Sequence, residues 1–380
     1  MNIASKLPNV GTTIFTVMSA LANEYQAINL SQGFPNFPSS QRLIDLVYRH
    51  MQAGNNQYAP MAGLPALRTR IADKIKHLYD VIVDPADEIT ITAGGTQALF
   101  TAIAAFIKPD DEVIIIEPAY DSYRPSIEVN GGKTIVYELN SPDYRIDWQR
   151  FATLLTPKTR MIIFNTPHNP TGTIWMEEDM HQLQKLVAET DILILSDEVY
   201  EHLIYDGHEH QSVLKYPELR KRSLAVYSFG KTFHNTGWKI GYCVAPPELT
   251  AEFRKVHQFN VFSVNTPVQH ALADFLEAPD EYLSLSAFYQ QKRDFFLQQM
   301  QGARLSPLNC KGTYFQLFDY SAISDESDID FARRMTVAFG VAVIPVSVFY
   351  SSGKDEKVIR ICFAKTAETL AQAGALLQKV

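Results

Sequence analysis

The segment from Ser228 to Tyr242, SFGKTFHNTGWKIGY, carries the residues most suited to chemistry. Lys231 follows an apolar run, Leu224 to Val226, that predicts a buried strand, and Lys239 lies in the same polar loop. Gly230-Lys231-Thr232 resembles the end of a phosphate-binding P-loop, but that motif requires a glycine at position 225, where this chain has alanine. A lysine held neutral by burial or by a nearby cation can instead form a Schiff base with a carbonyl cofactor.

A carbonyl cofactor such as pyridoxal phosphate (PLP) also requires a carboxylate facing its ring nitrogen. Asp197 is the candidate, because it comes just after the apolar run Ile192 to Leu195. A buried carboxylate needs a cation opposite it, and a protonated pyridine nitrogen has the right charge. Tyr200 lies three residues on and can donate to an oxygen on the same ring. The alternative interpretation of Lys231 is a solvated surface charge.

Other candidates follow the ends of predicted strands, where ligands bind in doubly wound α/β sheets. The turn AGGTQAL opens a helix, so the backbone N–H groups of Gly95, Thr96 and Gln97 can hold a phosphate, although tight packing explains the turn equally well. Tyr120, in EPAYDSY, can stack on a planar ring or simply pack at a helix start. Asn169, in NTPHNPTG, can hydrogen-bond a ring oxygen or serve only as a turn residue.

Two further positions suggest contacts with a ligand. Arg360 interrupts the apolar predicted strand VIRICFA, and its guanidinium fits either a bound carboxylate or a structural salt bridge. Gly33, in SQGFPNFPSS, permits close backbone approach to a ligand or forms a plain turn. His208 and His210 with neighbouring acids could bind a metal, but a solvated loop is the commoner explanation, and we expect no metal site.

The composition limits the possible function classes. With 380 residues, of which 46% are hydrophobic and 20% charged, the chain is long enough for two domains. Its net charge of -8 argues against nucleic-acid binding through a basic face. The three cysteines are widely spaced and fit a reducing compartment. The longest apolar stretch, near Ala98 to Ile107, is too short to span a bilayer. We therefore expect a cytoplasmic protein with neither nucleic-acid nor membrane partners.

Alternating β-rich and helical segments predict an α/β fold whose mostly parallel sheet is covered on both faces. The predicted strands are Glu88–Thr92, Glu112–Ile116, Thr134–Leu139, Arg160–Asn165, Asp191–Leu195, Leu224–Ser228 and Ile240–Ala245. The helices predicted to connect them are Thr96–Ile107, Tyr120–Val129, Asp147–Leu155 and Glu177–Glu189. The loop from Phe229 to Lys239 is shorter than the roughly dozen residues that a parallel crossover needs. The last of these strands should therefore run antiparallel to its neighbours.

The end of the chain predicts a smaller α+β unit. Its predicted elements are the helices Glu281–Met300 and Ile329–Phe339, the strands Thr313–Phe318, Val341–Pro345 and Val358–Phe363, and a last helix from Ala367. We expect an N-terminal segment, 1–44, that joins this small domain, a large cofactor-binding domain, 45–275, and the small domain itself, 276–380.

Taken together, the motifs resemble those of fold-type I PLP enzymes, specifically the class I/II aminotransferases. The matching segments, in the family's order, are SQGFPNF, NQYAPMAGLPALR, AGGTQALF, EPAYDSY, NTPHNPTG, SDEVY, SFGKTFHNTGWKIGY and IRICFAK. Within the family, the chain is most similar to kynurenine and glutamine transaminases and bacterial methionine aminotransferases. The resemblance implies a seven-stranded, mostly parallel sheet with one antiparallel strand, a smaller α+β domain, and pyridoxal 5'-phosphate as the cofactor.

The resemblance also implies a role for each candidate. Lys231 would be the Schiff-base lysine and proton shuttle, Asp197 would face the pyridine nitrogen, and Asn169 and Tyr200 would contact the ring hydroxyl oxygen. Tyr120 would stack on the ring. The groups that would hold the phosphate are Gly95, Thr96, Gln97, Ser228 and Lys239. The groups that would hold the substrate carboxylate are Arg360, Asn169 and the backbone of Gly33.

The same resemblance bears on assembly and substrate. In the family, the tyrosine that matches Tyr58 reaches the neighbouring subunit's site, which implies a homodimer with shared active sites. Phe15, Tyr58 and Phe262 are expected to line the substrate pocket, and no second arginine is evident for a side-chain carboxylate. Ser263 stands where some kynurenine-handling relatives carry a histidine, which is a departure from their pattern.

The predicted reaction is a ping-pong transfer of an amino group from a large neutral amino acid to a 2-oxo acid. Methionine, aromatic amino acids, glutamine and kynurenine are the candidate donors. A cysteine-conjugate C–S β-lyase would use the same cofactor residues. A regulator that only senses PLP would also use the fold, without catalysis.

Overall fold

A computed structural model describes residues 3–380, so the first two residues of the predicted N-terminal segment lie outside it. The first elements are α1 (Ile14–Glu24), β1 (Ile28–Asn29), α2 (Gln41–Gln52) and α3 (Pro65–Tyr79). Proline suits the first position of α3, because the N–H that it lacks would have no partner within the helix. Between β1 and α2 the chain is irregular, as its glycine and prolines predict.

The central sheet contains seven strands in the order β2-β8-β7-β6-β5-β3-β4. Its strands are β2 (Ile89–Thr92), β3 (Glu112–Glu117), β4 (Lys133–Glu138), β5 (Thr159–Asn165), β6 (Leu193–Asp197), β7 (Ser223–Ser228) and β8 (Gly241–Val244). Strand β8 is antiparallel to both β2 and β7, whereas the other pairs are parallel. The predicted fold class is confirmed, including the antiparallel strand inferred from the short loop before it.

Helices cover both faces of the central sheet. The helices between its strands are α4 (Gly95–Phe106), α5 (Tyr123–Val129), α6 (Trp148–Ala152), α7 (Glu177–Val187), α8 (Pro217–Arg220) and α9 (Phe229–Thr232). Adjacent residues Ile114 and Ile115 of β3 are both buried, one in each of two separate apolar clusters. Because successive side chains of a strand point to opposite faces, this burial shows that neither face meets solvent there.

Three predicted boundaries in this region need correction. Helix α5 begins at Tyr123 rather than at residue 120, which leaves Tyr120 in the preceding loop. Helix α6 is confined to Trp148–Ala152 within the predicted range 147–155. Strand β6 extends to Asp197 instead of ending at residue 195, because Asn165 and Asp197 still pair across β5 and β6. Asp197 is therefore held by the sheet and not by a loop.

The remaining elements follow the central sheet in sequence. They are α10 (Pro247–Asn260), α11 (Thr266–Phe275), α12 (Asp280–Leu283), α13 (Leu285–Gln299), β9 (Ser306–Pro307), β10 (Phe315–Asp319), α14 (Asp328–Phe339), β11 (Val341–Ala342), β12 (Ile344–Pro345), β13 (Val358–Cys362) and α15 (Ala367–Leu377). Single-turn 3-10 helices occupy Val213–Lys215, Thr236–Trp238 and Ser347–Phe349. Within residues 3–380, no helix is both long enough and apolar enough to cross a membrane.

Two predicted elements near the C-terminus are divided. The long predicted helix 281–300 is interrupted at Ser284 and becomes α12 and α13. The predicted strand 341–345 becomes β11, which pairs in parallel with β1, and β12, which pairs with β13 in an antiparallel sheet of order β12-β13-β10-β9. The chain changes sheets at Val343, so one continuous strand is not possible there.

Candidate active site

A cavity of about 230 Å³ opens where the central parallel strands end. The last residues of β5, β6 and β7, which are Asn165, Asp197 and Ser228, all line it. This edge is where ligands bind in sheets of this kind. The cavity wall contains most of the predicted site residues: Gly33, Gly95, Thr96, Tyr120, Asn169, Asp197, Tyr200, Ser228, Lys231, Lys239 and Arg360.

Lys231 lies on the short helix α9, directly after β7, and its amine faces the cavity. The Nζ atom donates to the carbonyl oxygen of Gly33 at 3.4 Å. It also lies 5.7 Å from the ring centre of Tyr200 and 5.8 Å from that of Tyr314. Burial lowers the pKa of Lys231 to about 8, and the positive charges of Arg360 and Lys239 act in the same direction. A substantial neutral fraction near pH 8 makes this amine a competent nucleophile and base.

Asp197 is a buried carboxylate whose partners within residues 3–380 carry no positive charge. Its Oδ2 accepts a hydrogen bond of 2.6 Å from the Tyr123 hydroxyl, and its Oδ1 accepts one of 3.3 Å from the backbone N–H of Val199. Burial raises the pKa of Asp197 to about 6, although the Tyr123 hydrogen bond opposes this shift. A protonated pyridine nitrogen in the cavity would supply the missing positive charge, so this residue fits PLP.

Arg360, on β13, is a buried guanidinium with neutral partners. Its Nη1 donates to Asn169 Oδ1 at 2.7 Å and its Nη2 to the Ser31 carbonyl at 3.2 Å, while its buried Nε has no partner within the described chain. The guanidinium carbon lies 3.9 Å from the ring centre of Phe315. Burial lowers the pKa of Arg360 to about 10. Its charge and its fork geometry suit a carboxylate entering from the cavity.

An anion site is formed where α4 begins. Gly94 precedes the helix with φ of 81°, a left-handed conformation that favours glycine. The Lys239 Nζ approaches within 3.5 Å of the point that a Cβ on Gly94 would occupy. The first N–H groups of α4 and an ammonium group therefore converge on one part of the cavity, beside Ser228 and Thr96. This arrangement fits the phosphate of PLP.

Gln97 takes part in this arrangement only through its backbone. Its side-chain Oε1 accepts from the N–H of Ala93 at 3.0 Å, and its Nε2 donates to Thr101 Oγ1 at 2.6 Å. The side chain does not line the cavity. The sequence predicts a phosphate contact only for the backbone N–H of Gln97, and this N–H lies in the first turn of α4.

Tyr120 and Tyr200 form two aromatic walls. The Tyr120 hydroxyl lies 3.1 Å from the Thr96 hydroxyl, which fixes the ring beside the start of α4. Tyr200 is buried, and its ring meets that of Tyr314 edge to face at 5.3 Å. Burial raises the pKa of the Tyr200 hydroxyl, so this group stays protonated and can donate a hydrogen bond at neutral pH.

Tyr58 and Phe262 lie outside this cavity in the single chain. Tyr58 is 80% exposed and Phe262 is 56% exposed, and their rings meet edge to face at 5.1 Å. These two predicted substrate-binding residues therefore do not contact the other site residues within one chain. Phe15, by contrast, lines the cavity as expected.

Sequence reasoning missed several residues that organise the site. Asn165 donates to the Asp197 carbonyl at 2.8 Å and accepts from the N–H of Asn169 at 2.7 Å, so it joins two strand ends to the Asn169 loop. Asn165 and Tyr123 lie inside motifs already noted, NTPHNPTG and EPAYDSY, and their positions there were the available signal. Tyr314 donates to the Gly33 carbonyl at 2.6 Å, and nothing in its local sequence indicates this contact.

Comparisons with known proteins show the family to which the chain belongs. The family model described as aminotransferase class I and II matches residues 25–375. The chain is 51% identical to methionine aminotransferase of Escherichia coli (strain K12) over 377 residues, which cover 99% of this chain and 98% of the relative. It is 32% identical to kynurenine–oxoglutarate transaminase 1 of Homo sapiens over 412 residues, covering 99% and 97% of the two chains.

Solved structures give the same result. A structure from Escherichia coli, reported with a methionine aminotransferase function, superposes with a TM-score of 0.98 at 51% identity, and both chains are covered completely. N-succinyldiaminopimelate aminotransferase from Mycobacterium tuberculosis superposes with a TM-score of 0.95 at 30% identity, again over 100% of each chain.

Proposed function

Because this chain belongs to the aminotransferase class I and II family, we propose that it transfers the amino group of methionine to a 2-oxo acid. The enzyme depends on PLP, as its family does. The residues that would hold PLP are Lys231 for covalent attachment, Asp197 for the ring nitrogen, and Asn169 with Tyr200 for the ring oxygen. Lys239, Ser228 and the start of α4 would hold the phosphate, and Tyr120 would cover the ring.

When bound, PLP supplies a carbon that can be joined to an amine and a ring that withdraws electrons from the substrate Cα. Lys231 Nζ, with its lowered pKa, takes the proton from Cα and returns it at the neighbouring position. Asp197 keeps a negative charge beside the ring nitrogen and so favours a proton there. Arg360 and Asn169 hold the substrate carboxylate, which fixes the Cα–H bond toward Lys231.

One observation carries the choice of substrate class, namely that Arg360 is the only arginine among the residues of the described chain that line the cavity. The two lysines that line the cavity, Lys231 and Lys239, would both be occupied by PLP. A carboxylate on the substrate side chain would therefore lack a cationic partner. Phe15, Phe315 and Leu99 provide apolar wall instead. These features favour a large neutral side chain, and the relative at 51% identity is named for methionine.

The test follows the visible absorption of the PLP-loaded enzyme while single amino acids are added without an oxo acid. We expect methionine to change the spectrum at a much lower concentration than glutamate, with D-methionine as the inactive control. Glutamate acting as well as methionine would contradict the proposal. Phenylalanine and glutamine, tested in parallel, rank the other neutral donors.

Kynurenine and β-lyase activities are alternatives with weaker support. Relatives at 32–33% identity carry the kynurenine name, but Ser263 here only donates to the Ala59 carbonyl, at 3.0 Å. A C–S β-lyase would use the same cofactor residues. Release of pyruvate and ammonia from a cysteine conjugate, faster than methionine transamination, would favour the lyase.

We also propose that the enzyme is a homodimer that shares its active sites. Support comes from the exposed aromatic side chains Tyr58, Phe259 and Phe262, of which Phe259 is 88% exposed. If Tyr58 completes the partner's site, mixing inactive Lys231→Ala chains with impaired Tyr58→Ala chains restores one intact site per mixed dimer. Activity no greater than the average of the two variants would contradict sharing.

The division into segments 1–44, 45–275 and 276–380 and a cytoplasmic location are part of the same proposal. Gly33, Lys231 and Arg360 come from the three different segments and meet at one cavity, so movement between segments would open or close the site. The three cysteines are free and buried, which suits a reducing compartment.

A further inference from the structure

Tyr123 and Asp197 form a buried hydrogen-bonded pair beside the cavity. Tyr123 and Asp197 are each 3% exposed, and the Tyr123 hydroxyl donates to Asp197 Oδ2 at 2.6 Å. This is the one hydrogen bond that the hydroxyl forms within residues 3–380. The Tyr123 ring packs in the apolar cluster between α4, α5 and the sheet, so it has little freedom to turn elsewhere.

The two oxygens of Asp197 are in different situations. Oδ2 receives the short hydrogen bond from Tyr123, whereas Oδ1 receives only the long contact from the Val199 N–H, at 3.3 Å. The side chain also lines the cavity. Tyr123 thus fixes the carboxylate through one oxygen and leaves the other available to a donor in the cavity.

The neighbouring acid cannot take over this role. Glu198 is fully buried, and its carboxylate accepts from Ser196, Tyr227 and His210 and from the Val213 N–H. The hydrogen bonds of the Glu198 carboxylate are therefore made with residues that do not line the cavity. The titratable groups that interact with Asp197 include Tyr123 from α5, Lys231 from α9 and Glu198, the residue directly after β6. The hydroxyl groups of Tyr120 and Tyr200 interact with its charge as well.

We propose that Tyr123 is a positioning residue that sets the basicity of Asp197 and, through it, keeps the ring nitrogen of bound PLP protonated. A hydrogen bond to a carboxylate favours its charged form and so lowers its affinity for a proton. When a proton is shared between this carboxylate and a ring nitrogen, the Tyr123 hydroxyl shifts the proton toward the nitrogen. The protonated ring withdraws electrons more strongly, which assists loss of the Cα proton.

This inference rests on the proposed function only for its kinetic readout. The main test uses PLP and protons alone: the affinity of the PLP-free protein for PLP, and the pH midpoint of the visible absorption of the loaded enzyme. Tyr123→Phe removes one oxygen atom. We expect PLP affinity to fall about ten- to hundredfold, since a hydrogen bond to a charged group is lost. We expect the pH midpoint of the absorption to move upward, because Asp197 without this hydrogen bond holds a proton more strongly.

A kinetic readout separates positioning from general damage. With methionine, kcat of Tyr123→Phe should fall about tenfold or more while KM changes little, because the hydroxyl does not reach the substrate carboxylate site. The matched control is Tyr320→Phe, which deletes a buried hydroxyl bonded to the Glu326 carbonyl, remote from the cavity. This control should leave PLP affinity and the midpoint unchanged.

A double-mutant cycle tests whether Tyr123 acts on bound PLP through Asp197. In an Asp197→Asn background, Tyr123→Phe should no longer move the midpoint, because the charge on which the hydroxyl acts is gone. Unchanged PLP affinity and midpoint in Tyr123→Phe, or an equal shift in the Asp197→Asn background, would overturn the proposal. If Tyr123→Phe does not fold, 3-fluorotyrosine at position 123 preserves the shape and strengthens the donor, and the midpoint should then move downward; no movement would equally overturn it.

The outcomes distinguish this inference from the proposed function. A wild-type enzyme that binds PLP but responds to no amino acid contradicts the proposed function and leaves the midpoint test intact. A wild-type enzyme that responds to methionine while Tyr123→Phe behaves identically contradicts only the role of Tyr123.

Discussion

Replacing Arg360 by lysine tests how the substrate carboxylate is held. The guanidinium already donates to Asn169 Oδ1 through Nη1 at 2.7 Å and to the Ser31 carbonyl through Nη2 at 3.2 Å, and its Nε has no partner in the described chain. A guanidinium can keep these contacts and still present N–H groups to a carboxylate. A lysine has the same charge but a single nitrogen, so it cannot serve Asn169 and both substrate oxygens at once.

The expected loss follows from one charge-assisted hydrogen bond. Such a bond contributes about 1.5–3 kcal/mol, which corresponds to a fall of about 10- to 150-fold in kcat/KM for methionine. The retained positive charge in the variant should prevent a larger loss. Single-turnover absorbance measurements with the PLP-loaded enzyme give this ratio without interference from product release.

Two controls make the result specific. The amine 3-(methylthio)propylamine has the methionine side chain without the carboxylate, so wild type and Arg360→Lys should process it equally poorly. Arg293→Lys alters a largely buried arginine outside the cavity, one that pairs with Asp206 and Asp294, and it should leave kcat/KM unchanged. An equal loss with both the amine and methionine, or no loss with methionine, would refute the assignment of Arg360 to the carboxylate.

Two further predictions concern the residues at the cofactor. Lys231→Ala should retain its fold and bind PLP without covalent attachment, but turnover should fall below detection; unchanged turnover in that variant would exclude Lys231 as the proton shuttle. Without PLP, the raised pKa of Asp197, about 6 against 3.8 normally, means that the folded state holds the proton more tightly than the unfolded state. Stability is therefore lost as pH rises from about 4 through about 6, and PLP-free Asp197→Asn should exceed wild type at pH 8 by up to about 3 kcal/mol, with a smaller difference at pH 4. Urea unfolding at both pH values checks this, and a difference independent of pH would contradict it.

The clustering of candidate residues at the strand ends could be predicted because its signals are local in the sequence. Asp197, Asn169 and Lys231 each follow a recognisable apolar run, and parallel strands bring their carboxyl ends to one edge. The direction of β8 was predictable for a similar reason, since the length of the preceding loop excludes a parallel crossover. Where the decisive signal lies within about a dozen residues, the sequence is sufficient.

Contacts between distant segments were not predictable in this way. Strand β1 has only two residues, and it exists because Ile28 and Asn29 pair with Val341 and Ala342. So short a segment has no periodicity to detect. Tyr314 is similar, because its bond to the Gly33 carbonyl joins residues 281 positions apart. The contact of Tyr123 with Asp197 could not be predicted for another reason. The spacing of Tyr123 from Tyr120 fits ordinary packing as well as a role at the cofactor.

The buried charges explain why binding and catalysis are linked in this site. Asp197 and Arg360 are each buried, and their hydrogen-bond partners within residues 3–380 are uncharged. Burying a charge without an opposite partner is unfavourable, so the chain alone does not stabilise either residue fully. PLP would bring a positive ring nitrogen to Asp197, and an amino acid would bring a carboxylate to Arg360. The same desolvation that destabilises the empty cavity therefore strengthens its interaction with both ligands and lowers the pKa of Lys231.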